Sequence, residues 1–114
     1  MARSAISKRI SSDGVIQFFL AHIEKARPEI RRLVLFGSRA RDDARSDSDY
    51  DLLVVVAAKN PGLEDILYEA VMDTLLEHGR LVSLKIFNES EYERLQKLST
   101  PFVRRIEAEG LSIE

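Results

Sequence analysis

The sequence contains no cysteine and no long hydrophobic run. Without cysteine there is no disulfide, zinc–thiolate site or thiol nucleophile, which fits a reducing cytoplasm. The longest apolar run, residues 52–58, is far shorter than the ~20 residues that a membrane-spanning helix needs. The N-terminal residues include Arg3, Lys8 and Arg9 but no apolar core, so no secretory signal is expected. We therefore expect a soluble cytoplasmic protein.

Neither sign of charge dominates, and turn-forming residues are few. The 17 Lys and Arg residues nearly balance the 19 Asp and Glu residues, giving a net charge of -2. Because no basic field covers the sequence, a nucleic-acid partner is not expected. The three prolines and five glycines are scattered singly, not pooled in a linker. We expect residues 1–114 to form a single domain, with disorder in residues 1–12.

Apolar residues at helical spacing predict a first helix and a last helix. The first runs from Gly14 to Ala26, with Ser12 or Asp13 as its N-cap and Pro28 ending it. The last spans residues 100–110, beginning at a Thr-Pro pair and stopping at a glycine.

Two further helices are predicted from their capping signals. Asn60 can cap a helix that has Pro61 in its first turn and that ends before Gly79. Ser90 and Glu93 have the spacing of a capping box, which indicates a helix beginning there.

Three short apolar segments predict strands, at Leu33–Phe36, Tyr50–Ala57 and Leu81–Phe87. Combined with the predicted helices, they indicate an α+β fold in which helices cover one small sheet.

Two aspartates at the start of the second strand are the candidate catalytic and metal-binding residues. Asp49 and Asp51 are two residues apart, and side chains alternate between faces along a strand, so both carboxylates point to the same side. Like charges this close repel, and a cation relieves the repulsion. Mg²⁺ favours one or two carboxylates completed by water and phosphate oxygens. The pair therefore predicts a magnesium ion and a phosphate-bearing ligand.

The turn after the first strand is the candidate phosphate site. Gly37 lets the backbone approach a ligand closely, and Ser38 adds a hydroxyl and exposed N–H groups. Arg39 and Arg41 can add charge-assisted hydrogen bonds. For this turn to share a pocket with the aspartate pair, the first two strands must run antiparallel. Such a pocket favours in-line phosphoryl or nucleotidyl transfer.

The arginines have an equally weighted alternative interpretation. Exposed ion pairs between neighbouring residues are common. The three arginines could therefore form surface ion pairs with three nearby aspartates; the arginines are Arg39, Arg41 and Arg45, and the aspartates are Asp42, Asp43 and Asp47.

The pattern Gly37-Ser38, ten residues, then Asp49-x-Asp51 before an apolar strand resembles the polymerase-β-like nucleotidyltransferase superfamily, and within it the minimal nucleotidyltransferases. The resemblance implies a mixed sheet with antiparallel first two strands, the nucleotidyltransferase fold. It also implies Mg²⁺ and ATP, with Gly37, Ser38 and Arg39 binding the nucleotide and Asp49 and Asp51 binding metal.

Many such domains are antitoxins of helical HEPN-type toxins, to which they transfer AMP. The resemblance therefore implies a HEPN/MNT antitoxin that modifies a hydroxyl of its partner protein. The short chain also makes a second copy, in a homo-oligomer, a candidate for completing the acceptor site.

The sequence departs from the family pattern at two places. Asp42 stands where the family usually has glycine. The family's third carboxylate, on the strand matching Leu81–Phe87, is missing, because that face offers Ser83 and Lys85. The acids that could replace it are Asp47, Glu89 and Glu91. The alternative function is therefore a catalytically degenerate module that binds nucleotide or protein without transfer.

Overall fold

The computed structural model describes residues 11–41 and 48–113. Most of the segment predicted to be disordered, residues 1–12, lies outside these ranges. The described residues form a four-stranded sheet in the order β3-β2-β1-β4. Its strands are β1 (Ile30–Phe36), β2 (Tyr50–Val56), β3 (Val82–Asn88) and β4 (Leu111–Ser112).

The sheet is mixed. β1 pairs antiparallel with both β2 and β4, whereas β2 and β3 run parallel. The predicted α+β class and the antiparallel first two strands are therefore confirmed. β4 was not predicted from the sequence.

The helices of the described residues are α1 (Gly14–His22), a 3-10 helix (Glu24–Glu29), α2 (Ser38–Arg41), α3 (Pro61–His78), α4 (Glu89–Leu98) and α5 (Pro101–Glu109). α3 has the predicted ends: the side chain of Asn60 accepts the N–H of Leu63, and Gly79 ends the helix in the left-handed conformation, with φ 66°. None of these helices is long and apolar enough to cross a membrane.

Two predicted helix signals were wrong in detail. The first helix ends at His22, and the chain continues as a 3-10 helix that contains Pro28 rather than stopping there. The capping box of α4 is formed by Asn88 and Glu91, with bonds of 2.8 and 2.9 Å, not by Ser90 and Glu93. The chain enters α4 directly from β3, so the last strand residue becomes the cap.

Helices cover both faces of the sheet. On one face α1 and α3 pack over the alternate β2 residues Leu52, Val54 and Val56. On the other face α4 and α5 pack over Leu53 and Val55. Because side chains alternate along a strand, Asp51 belongs to the face of Leu53 and Val55, beyond the apolar cluster beneath α4 and α5.

Candidate functional site

The turn that follows β1 lies directly against the carboxylate of Asp51. Phe36, the last residue of β1, pairs with Asp51 across the antiparallel ladder. Gly37 then adopts φ 76°, and a methyl group at this position would lie 2.5 Å from Oδ2 of Asp51. A side chain here would therefore displace the carboxylate, so glycine is needed both for the backbone angle and for the close approach.

The two aspartates differ in their surroundings. Asp49 is exposed, whereas Asp51 is half-buried. Burial raises the pKa of the Asp51 carboxyl, and the negative charge of Asp49 raises that pKa further, while Lys85 opposes the rise. Burial and the neighbouring charge therefore disfavour the ionised form of Asp51, and a bound cation would favour it.

Ser38 is brought to the same turn. It is the first residue of α2, and the carbonyl of Gly37 accepts the N–H groups of Ala40 and Arg41 at 3.1 and 3.2 Å. In the part of the chain that the structure describes, the Ser38 hydroxyl makes no hydrogen bond. This hydroxyl can therefore serve a ligand at the turn.

Arg39 reaches across the turn to the chain that leads into β2. Its Nη2 and Nε donate to the carbonyl of Ser48 at 2.8 and 3.3 Å. Its guanidinium also lies over the ring of Tyr50, 4.2 Å from the centroid. Ser48 and Tyr50 flank Asp49, so Arg39 contacts both neighbours of this aspartate, one through its carbonyl and the other through its ring. Sequence reasoning missed this contact, whose one local signal is an aromatic residue between two aspartates.

Tyr50 is anchored on the opposite face of the sheet. Its hydroxyl donates to Oδ2 of Asp13 at 2.8 Å. The other oxygen of Asp13 caps α1 by accepting the N–H groups of Val15 and Ile16. Burial, together with the hydrogen bond to and charge of Asp13, raises the pKa of Tyr50 to about 12. A continuous set of contacts thus runs from the α1 cap through Tyr50 to Arg39.

The third strand brings a hydroxyl, not a carboxylate, to this site. Ser83 lies beside Asp51 in the parallel register, and Lys85 lies beside Leu53. Glu89 and Glu91 follow the far end of β3, about 20 Å away at ~3.3 Å per strand residue. They therefore cannot replace the missing carboxylate.

Other charged residues of the motif are accounted for as follows. Nη1 of Arg41 lies 3.4 Å from Oε1 of Glu109 on α5, so its observed ion pair is with another element. Asp42, Asp43, Arg45 and Asp47 lie outside the described residues, so their pairing with the arginines stays a prediction. The replacement role considered for Asp47 stays a prediction.

The arrangement can hold a metal ion and a phosphate chain side by side. Within the described residues, 11–41 and 48–113, no group of three or more acidic or histidine side chains is placed to hold a metal ion by itself. The pair Asp49 and Asp51 fits Mg²⁺, which takes one or two carboxylates and completes its shell with phosphates and water. Gly37 and Ser38 can contact those phosphates.

Comparison with known sequences identifies related proteins. The family model described as polymerase beta, nucleotidyltransferase, matches residues 20–112. A Methanocaldococcus jannaschii protein, provisionally named protein adenylyltransferase, is 30% identical over 101 residues, which span 85% of this chain and 91% of that protein.

Two solved structures are similar in fold. A toxin-antitoxin crystallised with AMP-PNP superposes with a TM-score of 0.56 at 15% identity, covering 86% of this chain and 71% of that one. A mutant of the toxin-antitoxin MntA-HpeT superposes with a TM-score of 0.52 at 12% identity, covering 83% and 68% of the two chains. At these identities the two structures bear on the fold alone.

Proposed function

Because the chain belongs to the polymerase beta nucleotidyltransferase family, we propose that it is a magnesium-dependent enzyme that transfers AMP from ATP to a hydroxyl of a partner protein. The observation that carries the proposal is the approach of the Asp51 carboxylate to Gly37, where a methyl group would lie 2.5 Å from Oδ2. It supports the proposal because a candidate metal ligand lies next to a candidate phosphate turn.

Each site residue has a role in this proposal. Asp49 and Asp51 hold Mg²⁺, which supplies charge neutralisation for the triphosphate. The backbone at Gly37 and the hydroxyl of Ser38 bind phosphate oxygens. Arg39 positions Asp49 through its contacts with Ser48 and Tyr50; direct contact of Arg39 with the nucleotide stays a prediction.

The transfer itself is a displacement at the α-phosphorus. The acceptor oxygen bonds to that phosphorus, the bond to the bridging oxygen of the β-phosphate breaks, and pyrophosphate leaves. The hydroxyl proton passes to water, since β3 offers Ser83 rather than a carboxylate beside Asp51. With no carboxylate from β3, the rate depends on positioning and charge neutralisation, and we expect slow turnover.

The choice of ATP and of AMP transfer is supported by the relatives. The Methanocaldococcus jannaschii relative bears the name of a protein adenylyltransferase, and one protein of similar fold was crystallised with AMP-PNP, an ATP analogue. Magnesium is supported by the carboxylate pair alone.

The partner in this proposal is a HEPN-type toxin, and the chain acts as its antitoxin. Support comes from the fold, which two toxin-antitoxin structures share. A homo-oligomer, cytoplasmic location and the absence of membrane and nucleic-acid partners remain expectations from the sequence.

A label-transfer assay tests the proposed activity. The chain is incubated with Mg²⁺, a purified HEPN-type toxin encoded beside it, and ATP labelled at either the α- or the γ-phosphate. We expect label on the toxin from the α-position only, and none with Asp49→Asn. Asp65→Asn, which removes an exposed carboxylate on α3, is the matched control and should transfer normally.

The absent third carboxylate favours a second candidate function, a degenerate module that binds nucleotide or protein without transfer. Its test is the same assay combined with calorimetric titration of Mg-ATP. Binding that Asp49→Asn abolishes, together with no label on the toxin, would replace the enzyme proposal with this one.

A further inference from the structure

The outward face of α3 carries an apolar stripe. Tyr68, Met72 and Leu76 are 50%, 53% and 79% exposed, and their four-residue spacing places them along one side of the helix. The opposite side is the buried one, comprising Leu63, Leu67, Ala70, Val71 and Thr74. An amphipathic helix normally exposes polar residues, so a line of three exposed large apolar side chains is typical of an interaction surface.

A row of carboxylates follows the stripe. Asp65, Glu69 and Asp73 have the same four-residue spacing and lie beside it. Together with Glu64 and Glu77 they give α3 five acidic residues and neither lysine nor arginine. Within the described residues none of these five forms an ion pair. The helix therefore presents uncompensated negative charge next to exposed apolar surface.

A cleft of about 340 Å³ adjoins the row on the side of α1 and the 3-10 helix. Glu69 and Asp73 line it from α3, and Glu24 and Lys25 line it from the 3-10 helix; His22 of α1 also lines it. A long cationic side chain that crosses α3 would find two or three carboxylates there.

We propose that this face of α3 binds an amphipathic helix of another protein, whose apolar side chains cover the stripe and whose lysines or arginines meet the acidic row. Charge complementarity favours this partner. The apolar stripe could bind any apolar helix face, but the acidic row favours a helix that carries basic side chains. Two copies paired antiparallel through α3 about a twofold axis would bring their acidic rows together. A head-to-tail contact with the basic end of α4, at Arg94 and Lys97, would pair two different surfaces and so give a ring or an open chain of copies, not a dimer.

The inference rests on the proposed function only in expecting a protein partner. α3 packs on the face of Leu52 and Val54, whereas Asp51 belongs to the other face. A helix bound to α3 would therefore leave the nucleotide pocket open. Binding at the two places can be measured separately.

The experiment uses two synthetic helical peptides that share one leucine pattern, one with lysine and the other with glutamate at the flanking positions. The sequence has only two methionines, Met1 and Met72, so ¹³C-methyl methionine labelling gives a direct probe of the stripe. We expect the lysine peptide to shift the Met72 methyl resonance and to bind about tenfold tighter than the glutamate peptide.

Variants test the location. Leu76→Asp should weaken binding of the lysine peptide by about tenfold. Leu98→Asp, at a residue 66% exposed at the end of α4, is the matched control and should bind normally. Replacing Asp65, Glu69 and Asp73 together by lysine should reverse the preference to the glutamate peptide. These positions are at the surface, and thermal melts confirm folding before titration; the reversal stands as evidence even if Leu76→Asp fails to fold.

Three results would overturn the inference: no Met72 shift with the lysine peptide, equal weakening by Leu98→Asp, or a Met72 shift that follows protein concentration alone, which would assign the face to a second copy. Calorimetry with Mg-ATP on the same samples distinguishes a failure of peptide binding at α3 from a failure of nucleotide binding. If the wild-type protein binds Mg-ATP but not the lysine peptide, the α3 inference is contradicted. If it binds the lysine peptide but not Mg-ATP, the proposed function is contradicted.

Discussion

At the scale of single residues, Gly37 is the position on which the site depends most. It has a positive φ of 76° and lies against Asp51. Gly79 also has a positive φ, 66°, but nothing lies within 4 Å of the place where its side chain would be. The two glycines therefore share a backbone requirement and differ only in the neighbouring carboxylate.

This contrast gives a prediction for Gly37→Ala and Gly79→Ala. Each should lower the free energy of unfolding by about 1–2 kcal/mol, the usual cost of a left-handed backbone for alanine. The Asp51 side chain can rotate away from a new methyl group, so the extra effect of Gly37→Ala should fall on the site. Of the two variants, we expect only Gly37→Ala to weaken Mg-ATP binding, by about tenfold or more.

Chemical denaturation and calorimetry measure the two quantities. If Gly37→Ala bound Mg-ATP as tightly as Gly79→Ala does, the turn and Asp51 would not share a ligand.

Tyr50 predicts a dependence of stability on alkaline pH. Its pKa is raised to about 12 from 10.0, so the folded protein keeps the phenol proton where the unfolded chain loses it. The folded state then binds more protons, and stability falls as pH rises between about 10 and about 12. Tyr50→Phe should lack this part of the decline, and at neutral pH it should be less stable by about 1 kcal/mol through loss of the bond to Asp13.

Thermal melts from about pH 9 to about pH 12 compare wild type with Tyr50→Phe. Tyr68→Phe controls for loss of a tyrosine hydroxyl at an exposed position. Parallel curves for wild type and Tyr50→Phe would contradict the hydrogen bond between Tyr50 and Asp13 as the cause of the raised pKa.

At the scale of elements, Arg39 joins the turn after β1 to the start of β2. The bond to the Ser48 carbonyl and the stack on Tyr50 need a planar guanidinium. Arg39→Lys keeps the charge but loses both contacts, so we expect a loss of about 1 kcal/mol in stability and weaker Mg-ATP binding, by about fivefold.

Arg41→Lys, on the same short helix, is the matched control for this substitution. Its contact with Glu109 at 3.4 Å is an exposed ion pair that lysine can replace. Should Arg39→Lys behave as Arg41→Lys does, Arg39 would act through its charge alone, and its contacts with Ser48 and Tyr50 would not position Asp49.

Elements were predictable where their signals are local. α3 was predicted to the residue because Asn60, Pro61 and Gly79 each encode an end of the helix. The α4 cap was misplaced because Asn88 and Ser90 both have glutamate three residues later, and the extent of β3 decides between them. β4 consists of two residues whose pairing with Val34 and Leu35 is far away in the sequence, so no local pattern indicates it.

Part of the candidate site was predictable in the same way. The positions of Gly37, Asp49 and Asp51 follow from strand ends and side-chain alternation. The Arg39 contacts could not be foreseen, because which way its guanidinium turns depends on the Tyr50 ring across the strand pair. The exclusion of Glu89 and Glu91 needed the direction of β3, which the sequence leaves open.

At the scale of the whole molecule, the two faces of the sheet have different proposed functions, nucleotide binding on one and partner binding on the other. One face carries the aspartate pair at the edge of the α4–α5 cluster, and the other carries α3 with its exposed stripe. We propose that one nucleotide is surrounded by the turn at Gly37 and Ser38, the pair Asp49 and Asp51, and Ser83.

Paramagnetic relaxation with Mn²⁺-ATP in place of Mg²⁺-ATP measures which residues lie near the nucleotide, because broadening of their signals falls steeply with distance from the ion. The amide signals of Gly37, Ser38, Asp49, Asp51 and Ser83 should broaden first, and the Met72 methyl on the opposite face should stay sharp. Broadening that spared Gly37 and Ser38 while affecting the aspartates, or that appeared first at Met72, would contradict a shared pocket.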